Sequence, residues 1–454
     1  MNGELPKGWV WTSLGEVTDN PQYGWTTRAI TEGKLHLLRT TDITSGKINW
    51  DSVPFCEEEP ENIEKYLLGD GDIVISRAGS VGYSYLLNNP KKSIFASYLI
   101  RFKPLINRFF LYYFLKSPDY WNSISEKSIG IAMANVNASK LKQIEVPLPP
   151  LSEQQRIVNK IEELFTNLDK GIESLNEVKY KLKIYRQAIL KYAMEGKLTE
   201  KWREENNYPS IPIQLNLNSS DYYFSNEVPT TNIHSSWKLV KVEEVADFFK
   251  GQRSPKKYYV DKNHPDAKPY IRIQDFKTKE VSMYTRADWC LQCKKTDTLL
   301  ATDGAIGSSN FGWDGVLTHH ILCIRPKQEF IHPYYLFLFI SLNKNFFYKN
   351  KTGVCSPTLR QQYVRNLAIP ISPLEEQNII VERIEQLFSL ADYIEETVES
   401  KLEQSKTLRQ SILKKAFEGK LVPQDPNDEP AEILLEKIKK QRLNKEKLVQ
   451  EKLI

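Results

Sequence analysis

The 454-residue sequence predicts an α+β protein: two globular α+β domains joined by two long antiparallel helices in a coiled coil, with internal duplication and pseudo-twofold symmetry. Three observations predict it. RQAILKYAMEGKL from Arg186 recurs as RQSILKKAFEGKL from Arg409, 223 positions later. PLPPLSEQQRIVNKIEELFTNLD from Pro147 recurs at the same offset of 223 as PISPLEEQNIIVERIEQLFSLAD from Pro370, so about fifty residues align without a gap. Upstream the echoes are looser, with offsets drifting between roughly 222 and 233: GWVWTSLGEV at Gly8 with SWKLVKVEEV at Ser236, LRTTDI at Leu38 with IRIQDF at Ile271, and DIVISRAGSVG at Asp72 with DTLLATDGAIG at Asp297. The chain alternates variable, constant, variable and constant blocks.

Each constant block reads as one helix. Ser152 and Gln155 stand as an N-cap and N3 pair after the prolines. Apolar residues then recur at Ile157, Ile161, Leu164, Leu168, Ile172, Leu175, Val178, Leu182, Tyr185 and Ile189. The second copy gives Ile380, Ile384, Leu387, Ala391, Ile394, Val398, Leu402, Ser405, Leu408 and Ile412. Steps of three and four place each set on one stripe, and Gly196 and Gly419 occupy C-cap positions. Between Ser152 and Glu195 there is no Pro and one Gly, Gly171, so a helix of roughly 65 Å follows at about 1.5 Å per residue. That outreaches a small domain, and the stripes are assigned to a helix–helix seam. The first helix leads away from domain one, so the second packs on it by running back, as in an isologous dimer fused into one chain.

The variable blocks carry short β-branched and aromatic runs (LLRTTDI, DIVIS, YLIRFKP; PYIRIQDF, TLLAT, HHILCIRP) bounded by Gly, Asp and Asn. FFLYYFLKS and PYYLFLFISL read as buried helices. Residues 207–235 have no Lys or Arg and many Asn, Ser, Thr and Pro, the composition of a linker.

Composition narrows the function. The net charge is only +5, but residues 236–370 hold 21 Lys and Arg against 12 Asp and Glu, residues 1–150 are neutral, and residues 371–400 are acidic at −7. No apolar run of membrane length or signal-peptide core occurs, so a cytoplasmic location is expected. Five scattered cysteines fit reduced thiols. Cys290 and Cys293 form one C-x-x-C; a zinc site takes about four ligands, and only His319, His320 and Cys323 could complete one. The expectation is thiols and no metal. The acidic stretches CEEEPE and SPLEEQ lack metal-site spacing and read as solvated surface or a helix N-terminus. Phosphate-binding and dinucleotide loops, a [DN]-P-P-[YF] motif and a nucleophile elbow are absent from the sequence. Catalysis by this chain alone is not expected.

Two dissimilar domains, the two constant segments above and the tail FEGKLVPQDPNDEPAEILLEKIKKQR closely resemble the DNA-specificity (S) subunit of type I restriction-modification systems. The resemblance spans nearly the whole chain. It divides the chain into target-recognition domain 1 (1–150), a central conserved helix (151–206), the linker (207–235), target-recognition domain 2 (236–373), a C-terminal conserved helix (374–421) and a tail helix (422–454). It implies that each domain reads one half of a split site on double-stranded DNA, and that the helices hold two modification (methyltransferase) subunits. Those partners bind S-adenosylmethionine and methylate adenine; restriction subunits add ATP- and Mg-dependent translocation and cleavage. The S subunit itself binds no cofactor.

Base reading needs side chains with directional bonds, and phosphates need cations and small polar groups. Domain one offers the loop PQYGWTTRA with Gln22, Tyr23, Trp25, Thr26, Thr27 and Arg28, then Arg39, Thr41, Asp42, Arg77 and Ser80. Domain two offers Lys250, Gln252, Arg253, Ser254, Lys256, Lys257, Tyr258 and Tyr259, then Arg272, Gln274 and Asp275. Arg39 to Asp42 and Arg272 to Asp275 read equally well as salt bridges fixing a turn. SRAGSVG and TDGAIG read rather better as plain strand-end turns than as DNA contacts. KKYY, two cations beside two aromatics in the basic block, suits a backbone groove. Two alternatives remain: a stand-alone DNA-binding scaffold with few apolar outer helix positions, and the specificity half of an enzyme whose nuclease and methylase are fused in one partner.

Overall fold

Two strands launch each long helix. Val10–Ser13 pairs antiparallel with Glu145–Leu148, and Lys238–Lys241 with Ala368–Ile371. Prolines then break the ladder, and helices run from Leu151–Met194 and Leu374–Phe417, each of 44 residues. The computed structural model describes residues 4–128, 135–206, 222–228 and 236–451. It forms two units: Met1–Leu175 with Ser400–Ile454, and Asn176–Glu399. Most of the expected linker lies outside the described residues.

The units repeat one topology. Unit 1 has an antiparallel sheet in the order Gln22–Tyr23, Leu99–Phe102, Ile73–Ser76, Ser84–Leu86, and a second in the order Ala29–Ile30, Phe55–Cys56, His36–Leu38, Ser93–Phe95, whose last pair is parallel. Unit 2 matches with Ala246–Lys250, Ile321–Pro326, Thr298–Ala301, Ser309–Asn310, and with Tyr259–Val260, Tyr284–Thr285, Lys268–Ile271, Gly315–Leu317; Gln292–Cys293 adds one edge strand. The loose echoes mark equivalent structure. Asp72 accepts from the Gly69 N–H at 2.9 Å and faces Arg101, while Asp297 accepts from the Lys294 N–H at 2.9 Å and takes Arg325 at 2.7 Å. The apolar runs at Arg108–Phe114 and Pro333–Leu342 are helices, with Phe110, Phe114, Tyr335 and Phe339 fully buried.

The helix ends belong to the unit cores. Ile157 and Ile161 lie with Ile412, Leu413, Ala416 and Phe417 in the core of unit 1; Ile189, Leu190, Ile380 and Ile384 lie in that of unit 2. Their stripe is therefore mainly a domain-to-helix contact at the ends, which corrects a pure helix–helix seam. Leu164 and Leu387 pack at the core margins, Leu182 and Val398 are buried, and Leu168, Leu175, Ile394 and Leu402 are half-buried. Leu408 is 50% exposed and Tyr185 42%, so these stripe positions face outward. Helix pairing shows best in one contact made twice. Arg186 bonds Asp392 at 2.6 Å and covers the Phe388 ring; Arg409 bonds Asp169 and covers the Phe165 ring. Each pair is offset by 223 with the helices exchanged, so the helices pack antiparallel within each unit.

The capping expectation needs correction too. Helix Leu151–Met194 starts two residues earlier than a Ser152 cap implies, Ser152 donates to Asp428 at 2.5 Å, and Gln155 accepts from Asn107. The residues between them are the buried ones. Gln154 accepts from the Asn107 N–H and donates to Pro149 O; Gln377 accepts from the His332 N–H and donates to Ser372 O. Glu153 and Glu376 each receive a tryptophan indole, from Trp9 at 3.0 Å and Trp237 at 2.9 Å. Glu376 is thus fully buried rather than solvated. At the other end Gly196 and Gly419 hold φ of 74° and 69°, the left-handed geometry that stops a helix. The tail helix Ala431–Glu451 buries Ala431 and Ile438 in the core of unit 1.

Candidate nucleic-acid interface

Equivalent backbone contacts build an equivalent rim on each unit. In unit 1 the Gly24 N–H donates to Leu99 O, the Arg77 N–H to Tyr98 O and the Val136 N–H to Arg77 O. In unit 2 the Gly251 N–H donates to Ile321 O, the Thr302 N–H to His320 O and the Leu359 N–H to Thr302 O. Both glycines are forced by close approach: a Cβ on Gly24 would lie 2.2 Å from Ala96 O, and one on Gly251 2.1 Å from Thr318 O.

This frame presents different side chains. Unit 1 gathers Tyr23, Arg77 and Tyr98, while Ser80 is exposed on the turn after Arg77. The Arg77 guanidinium sits 5.1 Å from the Tyr23 ring centre, the Tyr23 hydroxyl accepts from the Ala138 N–H at 2.9 Å, and Tyr98 is 62% exposed. Unit 2 places Lys250, Asp303, His319 and His320 on the same frame. Lys250 donates to Thr302 and approaches Asp303 at 3.5 Å; His320 Nδ1 lies 3.4 Å from Asp303, and the His319 and His320 rings meet with centres 3.7 Å apart and planes tilted by 41°. Partial burial, then the neighbouring His320 and Arg253, push the His319 pKa down, which keeps its ring neutral at pH 7. Tyr98, Asp303, His319 and His320 were not among the expected reading residues. The recurrence of ASYLIRFKP as THHILCIRP was the available signal.

Other expected residues have been drawn into the fold. Asp42 accepts from the Arg39 N–H at 2.8 Å and pairs with its guanidinium at 2.9 Å. Asp275 accepts from the Arg272 N–H at 2.9 Å and bonds Ser282, which also takes the Arg272 guanidinium. Both carboxylates close turns, so the turn reading holds for these pairs, while Thr41 and Gln274 remain exposed beside them. Ser254 is 1% exposed, shares a 2.8 Å hydroxyl bond with Thr285 and meets the Tyr270 hydroxyl; as a DNA contact it is overturned by burial. The Trp25 indole donates to Glu58 O and the Thr27 hydroxyl accepts from the Glu58 N–H, both at 3.0 Å. Gln22 donates to Tyr23 O. Thr26, Arg28, Gln252 and Arg253 are exposed.

In KKYY the cations point out and the rings point in. Lys256 and Lys257 are exposed, Tyr258 stacks edge-on against Trp289 at 4.3 Å, and Tyr259 meets Tyr270. Replacing both lysines by Ala is expected to flatten the dependence of log affinity on log salt by about 1.8, near 0.9 per phosphate contact. Filter binding of the full chain to duplex DNA across salt concentrations measures it, and an unchanged slope would place both lysines off the DNA.

Cys290 and Cys293 are buried, and burial pushes the Cys293 thiol up to about 12. Among the described residues no group of three or more His, Cys, Asp or Glu is arranged to hold a metal ion. No helix among them is long and apolar enough to cross a membrane.

The family model "Type I restriction modification DNA specificity domain" matches residues 6–180 and 234–404. The EcoDI specificity subunit of a type I restriction enzyme from Escherichia coli is 28% identical over 97% of this chain and 96% of its own length. The EcoKI specificity subunit from Escherichia coli K12 is 28% identical, covering 97% of each chain. Among solved structures, a chain from a study of assembly and conformational transition in the type I R-M system superposes with a TM-score of 0.68 at 20% identity, over 92% of this chain and all of that one. The HsdS subunit from Thermoanaerobacter tengcongensis gives 0.55 at 20% identity, over 92% and 98%. Both structural likenesses concern the fold.

Proposed function

We propose, for a chain that belongs to the type I restriction-modification DNA specificity family, that each unit reads one half of a split site on double-stranded DNA. The helices hold two modification subunits, which bind S-adenosylmethionine and methylate adenine, and restriction subunits join them with ATP and Mg. The chain supplies addresses, binds no cofactor and works in the cytoplasm beside the DNA. One observation carries this reading: the same backbone frame bears Tyr23, Arg77 and Tyr98 in one unit and Lys250, Asp303 and His320 in the other. Two readers of unlike half-sites need a constant frame and unlike hydrogen-bonding groups.

Exposed apolar side chains support the partner role. Tyr180, Ile184, Tyr185 and Tyr192 on the first helix, and Leu390, Tyr393 and Leu408 on the second, are all at least 42% exposed. A stand-alone scaffold would leave them in water. The named relatives belong to type I enzymes, which favours separate partner subunits over a fused nuclease-methylase.

Each long helix runs from one unit into the other, and this makes the spacer testable. Four residues inserted after Val178 and four after Lys401 lengthen each helix by about 6 Å with little rotation. At about 3.4 Å per base pair the methylated sites are expected to keep both half-sites and gain one or two spacer base pairs. Sequencing methylated adenines in a host carrying the variant reads the result. A changed half-site with an unchanged spacer would move specificity into the helices.

A further inference from the structure

The two buried glutamates that begin the long helices have unlike partners. In unit 2, Glu376 is fully buried and saturated: Trp237 donates to one oxygen, and Thr199 at 2.6 Å and the Arg203 guanidinium to the other. Arg203 also donates to Gly196 O at 2.6 Å, which ties it to the turn ending the first helix. In unit 1, Glu153 is 1% exposed and takes the Trp9 indole on Oε2. Its Oε1 is buried and takes no hydrogen bond of normal geometry; the Gln424 side-chain amide, which donates to Gly419 O at 2.9 Å, stands near enough to lower the carboxyl pKa but carries no charge. At the repeat offset of 223, Thr199 and Arg203 correspond to Val422 and Pro426, which cannot supply the hydroxyl or the guanidinium.

A pocket stands where the arginine is missing. It has a volume of about 420 Å3, and its wall includes Trp9, Glu153, Asp425, Pro426, Asp428 and Glu432. Asp428 is already held by Arg156 at 2.6 Å. Lys7 also lines the pocket and makes no ion pair among the described residues. Burial dominates the surroundings of Glu153 and raises its pKa; the Trp9 bond, Arg156 and the Gln424 amide offset this only in part, and Asp428 adds to it. The site is acidic, walled by an aromatic ring and large enough for a planar cation.

We infer that this pocket receives an arginine side chain of the partner protein bound to the helices, with Glu153 as its carboxylate. The choice of arginine comes from unit 2, where the same carboxylate geometry beside a tryptophan binds a guanidinium. A planar fork matches two acceptors where an ammonium is a point charge. Assignment of the source to a partner rests on the function proposed above.

Two measurements on the full chain test it. With 15N-labelled tryptophan, the Trp9 indole N–H signal, assigned by Trp9→Phe, is expected to shift saturably as ethylguanidinium is added at millimolar concentration. Butylammonium should shift it less, and Glu153→Gln, which preserves side-chain shape, should abolish the response. No saturable shift, equal shifts with both cations, or an undiminished response in Glu153→Gln overturns the pocket. In the second measurement Glu153→Gln is expected to weaken binding of the modification subunit by about 10- to 100-fold, the worth of a bond to a charged group. Unchanged affinity overturns the partner assignment. If the wild-type chain binds no modification subunit, the assembly reading falls and the partner assignment with it, while the Trp9 titration still decides the pocket.

Discussion

Ile161→Asp is expected to unfold unit 1, and Ile384→Asp unit 2, rather than to detach a partner from a folded chain. Both isoleucines are fully buried in the unit cores. Loss of each side chain forfeits about 2–5 kcal/mol, and a carboxyl group in its place adds a desolvation cost of several more. The total approaches the about 5–15 kcal/mol by which a domain is stable. Hydrogen–deuterium exchange of the full chain, read by mass spectrometry, should lose protection across the affected unit. Ile184→Asp and Tyr393→Asp are the contrast: these side chains are 49% and 68% exposed, so protection should persist while binding of the modification subunit falls. Retained protection with lost assembly in Ile161→Asp and Ile384→Asp would mean that both residues face a partner.

Arg203→Ala is expected to destabilise unit 2 by about 3–5 kcal/mol, because it leaves Glu376 buried with no countercharge. Urea denaturation followed by exchange should place the loss in Asn176–Glu399. Unit 1 should respond differently at its corresponding glutamate. Since the folded-state pKa of Glu153 is raised, its contribution is present at low pH and lost as pH rises through that value, so ionisation opposes folding near neutrality. Glu153→Gln should therefore leave unit 1 at pH 7 as stable as before or more so. A large loss there and none in Arg203→Ala would reverse the assignment of which unit closes its own site.

The recurrence at an offset of 223 determines a great deal by itself. Period and the glycine stops identified both helices, because an amphipathic stripe and a left-handed glycine are local properties that no tertiary context needs to supply. The duplication of the domains was legible in Asp72 and Asp297, whose sequence echo marks the same turn-capping carboxylate. Membership of the family followed from the constant segments and the tail.

Tertiary structure decided which side chains were free to act. Arg39 with Asp42 and Arg272 with Asp275 are chemically fit to read bases, and local sequence cannot say whether a carboxylate folds back onto its own turn. Ser254 looked like a loop hydroxyl until the Thr285 and Tyr270 hydroxyls closed over it. The rim groups Tyr98 and His320 lie far along the chain from Tyr23 and Lys250, and only strand pairing brings them together. The glutamates that begin the helices are near-identical in sequence context, Ser-Glu-Gln and Glu-Glu-Gln. Their difference is set by a residue 50 positions downstream of Glu153 but 173 upstream of Glu376: Arg203, whose burial against Glu376 depends on which domain its short helix meets. Periodicity and capping are written within a few residues, whereas desolvation and pairing depend on whatever the fold places nearby.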